Sequence, residues 1–116
     1  MKRVIETKFY TFNQNNSGGS FVYDEEVGIG EYVIIEAINA DDANSRAEDI
    51  GLYFNGCEDG YDCECCGDRW SMVWGGEGDE VPMIYGKPVE EVEKSGYRNQ
   101  AYVHYIDETF KRVELK

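Results

Sequence analysis

Apolar and polar positions divide the chain into short extended runs and one helical stretch. Lys8-Phe9-Tyr10-Thr11-Phe12 is aromatic and β-branched, which predicts a strand. A polar loop over residues 13–20 follows, and Phe21-Val22-Tyr23 resumes an extended pattern, so the two runs are expected to pair as a hairpin. Glu31–Ala37 has a continuous apolar centre, the pattern of a strand covered on both faces. Ala40, Ala43, Ala47 and Ile50 then recur at helical spacing. Asn39 or Asp41 can cap that helix, Asp41 and Asp42 suit its first turn, and Gly51 is a natural stop. Beyond the helix, Arg69–Trp74 predicts a short strand, and Pro88 suits the first position of a short helix over 89–94. Ala101–Ile106 predicts another strand, with Phe110–Leu115 folding back onto it through residues 107–109. The sum is an α+β fold: a small, mostly antiparallel sheet, one main helix and a Cys-rich loop, with residues 1–116 forming a single domain.

Composition narrows the function classes. The 116 residues carry 24 acids against 11 bases, a formal net charge of −13. Such a field repels duplex nucleic acid and attracts basic partners, and it also keeps a chain soluble. The N-terminal segment has basic residues with no apolar run behind them, and no stretch is apolar enough to span a bilayer. The expectation is a cytoplasmic protein whose thiols are reduced. Sixteen aromatic side chains (nine Tyr, five Phe, two Trp) supply core area and contact surface, and exposed ones are compatible with a homo-oligomer.

All four cysteines lie within fourteen residues: Cys57, Cys63, Cys65 and Cys66, spaced C-x5-C-x-C-C. Four thiolates about 2.3 Å from the ion make a structural zinc site, and a folded loop can supply them. The spacing differs from paired C-x2-C knuckles, so small buried thiols filling a tight turn are an equal alternative. The surrounding acids raise thiol pKa, which disfavours a reactive cysteine.

Three further groups carry chemistry. Asn13, Asn15, Asn16, Ser17, Gly18 and Gly19 form a polar loop able to offer N–H groups and amides to an anion or a base, or to serve as an ordinary turn. In Gly67-Asp68-Arg69-Trp70, Arg69 offers a planar fork to phosphate and Trp70 a face for stacking; the plain alternative is a surface turn with Trp70 in the core. His104, the sole histidine, is either structural or a substitute zinc ligand. No Ser/His/Asp order, P-loop or dinucleotide fingerprint occurs, so nothing points firmly to an enzyme.

The segments Tyr10–Gly19, Ala40–Asn44, Gly51–Gly56 and Asp62–Trp70, with the C-x-C-C-G-D-R-W run the most specific of them, resemble a family of small uncharacterised proteins of tailed bacteriophages. The resemblance implies a viral accessory protein of host takeover or anti-defence, located in the cytoplasm of the infected bacterium and acting by stoichiometric binding. The first expectation is capture of a small nucleotide-type signal by the Asn loop, Arg69 and Trp70. The second is an acidic inhibitor of a basic host or defence protein, with nucleic-acid mimicry as one form. The third is a metal-dependent enzyme.

Overall fold

A computed structural model describes residues 6–15, 21–60, 62, 67–94 and 100–116. The order of elements is β1 (Lys8–Asn13), β2 (Tyr32–Ala37), α1 (Ala40–Ile50), β3 (Met83–Ile84), β4 (Lys87–Pro88), a 3-10 turn (Val89–Glu91), β5 (Gln100–His104) and β6 (Phe110–Glu114). The main sheet runs β1-β2-β5-β6, and β3-β4 form a separate hairpin. β1 is antiparallel to β2, β5 antiparallel to β6, and β2 parallel to β5. The fold is therefore α+β with a mixed, mostly antiparallel sheet, as the sequence predicts.

The continuous apolar run of β2 is explained by its central place. Val33, Ile35 and Ala37 face α1 and form one core with Ala43 and Ala47 of that helix and with Tyr10, Phe12, Trp70 and Val73. Tyr32 and Ile34 face the opposite side, where Ile84, Val89, Val103 and Leu115 complete a second core. Two-residue alternation thus feeds two cores from one strand. The predicted helix ends are both present: Asn39 Oδ1 accepts the Asp42 N–H at 2.7 Å, and Gly51 sits at φ +114°.

Three sequence expectations are corrected. Residues 21–23 do not pair with β1, whose partner is β2. Val22 is instead held by the Gln14 side chain, which accepts its N–H at 2.6 Å and donates to its carbonyl at 3.0 Å. Residues 69–74 form no strand either; the Asn44 amide accepts from Val73 N–H and donates to Val73 O, both at 2.9 Å. In each case one side-chain amide satisfies backbone groups that a neighbouring strand would otherwise have to meet. The third is the helix over 89–94, which is only the three-residue 3-10 turn, closed at Val92. Pro88 belongs to β4, in a hairpin whose tip places Tyr85 (φ +51°) and Gly86 (φ +79°) in the left-handed region. Two successive positive φ values are the signature of a type I′ turn.

Candidate functional site

The Gly67–Trp70 turn sits against the end of β1. Asn15 N–H donates to Arg69 O at 2.9 Å and Asn15 Nδ2 to Asp68 O at 3.3 Å, so the base of the Asn loop and the Arg69 turn are joined. The Arg69 side chain is buried and its Nη1 donates to Gln14 Oε1 at 3.0 Å. Asp62, whose side chain is 0% exposed, lies with Oδ1 3.7 Å from Arg69 Nε. It accepts the Arg69 N–H at 2.8 Å and the Tyr53 hydroxyl at 2.9 Å. Burial and the bond to Asp62 push the Tyr53 phenol up, and Arg69 offsets part of this.

Asp62 reaches this position because Gly56 leaves room. A β-carbon on Gly56 would stand 1.9 Å from Asp62 Oδ2. Next to it, Cys57 N–H donates to Asp68 Oδ1 at 2.9 Å. Gln14, Arg69 and Asp62 therefore fasten β1, the cysteine segment and the 67–70 turn into one buried polar knot.

Outside the knot the surface becomes aromatic. Trp70 is only 2% exposed and packs in the core beside α1, yet it lines a surface hollow of about 340 Å³ shared with Phe54, Met72 and Trp74. A second hollow of about 350 Å³ is lined by Asn13, Val73, Glu77, Asp79 and Tyr85. Residues 71–74 contribute to the walls of both. Trp74 is 70% exposed and Tyr85 78%. Trp74 stands on a local turn: its N–H donates to the Glu77 carboxylate and its carbonyl accepts the Glu77 N–H. The Tyr85 ring meets Tyr32 edge-on, with centroids 6.4 Å apart and planes at 88°.

The residues singled out in the sequence separate as follows. Asn15, Arg69 and Trp70 come together; Asn13 lines the second hollow, and Cys57 adjoins Asp68. Asn16, Ser17, Gly18, Gly19, Cys63, Cys65 and Cys66 lie outside the described residues. His104 is buried in the sheet, with Nε2 2.8 Å from Gly28 O. Sequence reasoning missed Gln14 as the partner of Arg69, and it assigned Trp74 to a strand. An isolated loop glutamine and a tryptophan five residues past an arginine carry no local signal of either role.

Residues 7–115 match the model of a family described as a domain of unknown function, DUF7296. The chain belongs to this family. No curated protein and no solved structure matches it. The matched span runs from just before β1 to just past β6, so the polar knot and the aromatic ridge both lie within the DUF7296 domain.

Proposed function

We propose that the chain acts by stoichiometric binding and that its partner is a basic surface of another protein, docked on the ridge around Trp74. The observation that carries this reading is that Trp74 and Tyr85 are both highly exposed, with Glu77 and Asp79 lining the hollow beside Tyr85. Glu77, Asp79 and Glu80 follow Trp74, and between Arg46 and Lys87 the only basic residue is Arg69, which is turned inward onto Gln14 and Asp62. Trp and Tyr are the side chains that most often dominate interface energies, and the acids add steering toward a cationic partner. The resemblance to small tailed-phage proteins supplies a setting for this proposal: an accessory protein that occupies a host or defence protein during infection.

The junction of Asn15 with Arg69 favours a second reading, capture of a nucleotide-type ligand beside the Asn loop. It ranks below the first because the Arg69 guanidinium already faces a carboxylate. The two are separated by immobilising the chain, passing bacterial lysate over it, and recording native masses of what is retained. The expected result is one basic protein at unit stoichiometry, retained by the wild type, released by high salt and lost in Trp74→Ala. Retention by Trp74→Ala as strong as by the wild type would sink the proposal. A nucleotide-sized mass on the chain would move the assignment to the second reading, and a zinc-sized one would assign the cysteine segment as a metal site.

A further inference from the structure

The side of the sheet that carries α1 contains a third hollow. It has a volume of about 240 Å³ and lies between α1 and the end of β5. Ile35 and Ile50 supply apolar wall. His104 lines it as well, and its side chain belongs to this side because Ala101 and Val103, on the alternate positions of β5, enter the opposite core. The remaining charged lining residues are Arg46, Asp49 and Glu108.

The polar groups of this hollow are biased toward one kind of ligand. Arg46 is drawn toward α1 and the β5-β6 connection: its Nε lies 3.0 Å from Asp42 Oδ2, and its Nη1 donates to Ile106 O at 3.5 Å. His104 is more than nine-tenths buried, and the Nε2 that meets Gly28 O must be the protonated nitrogen, since a carbonyl only accepts. Its Nδ1 is then an acceptor, and among the described residues it makes no hydrogen bond. Burial lowers the imidazole pKa, which keeps that nitrogen unprotonated at neutral pH. Asp49 and Glu108 add two exposed carboxylates. Glu108 is presented by a locked turn, with its N–H on Tyr105 O at 2.9 Å and Tyr105 N–H on Thr109 O at 2.7 Å. One imidazole acceptor, two carboxylates and an apolar wall call for a donor-rich cation with a short hydrocarbon body, and the net charge of −13 concentrates such cations at the surface.

We infer that the hollow between α1 and β5 is a binding site for a small organic ammonium ion, with its apolar body against Ile35 and Ile50 and its ammonium group toward His104, Asp49 and Glu108. This site is independent of the Trp74 ridge. The test is titration of the full chain with 2-phenylethylamine, followed by calorimetry and by backbone amide shifts, alongside 2-phenylethanol and phenylacetate. Saturable one-to-one binding of the amine is expected, with shifts centred on Ile35, Ile50 and His104 and weaker or no binding of the alcohol and the acid. Asp49→Asn and Glu108→Gln should each weaken it by about tenfold, whereas Glu80→Gln, a remote acid, should leave it unchanged. Ile50→Trp should block the hollow; the two exposed carboxylate variants carry the test if that variant does not fold. No saturation well above about 1 mM amine, equal binding of phenylacetate, or an equal loss in Glu80→Gln would each overturn the inference, the last by showing that the amine only follows the general negative field.

Discussion

Arg69 brings a charge into the interior, and Asp62 is the group that compensates it there. Truncating the arginine leaves the Asp62 carboxylate, fully enclosed, without its cation, and removes a donor from Gln14. Arg69→Ala should therefore destabilise the fold by about 3–5 kcal/mol, read as a shift of the urea midpoint. A midpoint within error of the wild type would show that the knot contributes little. The same variant is consequently a poor probe of ligand contact, because loss of folding would imitate loss of binding. His104 gives a second prediction. Burial holds its pKa below the ordinary 6.5, the Gly28 carbonyl only partly opposing it. The unfolded chain takes up a proton near pH 6.5 that the folded chain refuses, so this contribution is complete above that pH and is lost as pH falls toward the lowered folded value. The slope reaches at most about 1.4 kcal/mol per pH unit. Stability measured at pH 7.5 and 5.5 should fall over that interval, while the imidazole resonance titrates below 6.5. An imidazole that titrates at or above 6.5 would refute it.

At the scale of elements, α1 is the clearest case of local chemistry setting a boundary. Asn39 supplies the N-terminal acceptor and Gly51 the left-handed exit, while Ala43 and Ala47 let the helix lie close on β2. Asn39→Ala should remove about 1 kcal/mol of stability, measured by thermal melting, with no change in the Trp74 surface. An effect below a few tenths would mean that Asp42, which accepts the Ile38 N–H at 3.2 Å, holds that end alone. Elements of this kind were legible because their signals lie within a turn or two of sequence. The β3-β4 hairpin was not, since Tyr85 is an unusual residue for positive φ and Pro88 fits a helix start as well as a short strand. Residues 21–23 and 69–74 look extended in pattern but are held by Gln14 and Asn44, whose partners lie 8 and 29 residues away.

For the whole molecule the decisive property is where charge and aromatic surface coincide. Trp74 projects from the fold, so Trp74→Ala should change stability by less than about 0.5 kcal/mol while abolishing partner binding. Raising salt from 50 to 500 mM should weaken the wild-type complex by about tenfold or more, because the complementary charges are screened beyond a few ångströms. A complex indifferent to salt would place its energy elsewhere than in the acidic surround. Among the described residues no helix is long and apolar enough to cross a membrane.

The sequence by itself determined the α+β class, the doubly covered strand β2, both ends of α1 and the β5-β6 return, because periodicity, capping and turn chemistry act between near neighbours. It also determined the acidic field, which follows from composition alone. Only the tertiary structure decided that Arg69 points inward to Gln14 and Asp62, that Trp70 is core while Trp74 is surface, and that β5 runs parallel to β2 so that His104 meets Ile35 and Ile50 at one hollow. Those outcomes depend on contacts between residues tens of positions apart. No local pattern encodes them; they follow from how the segments bury their apolar faces while leaving each polar group a partner.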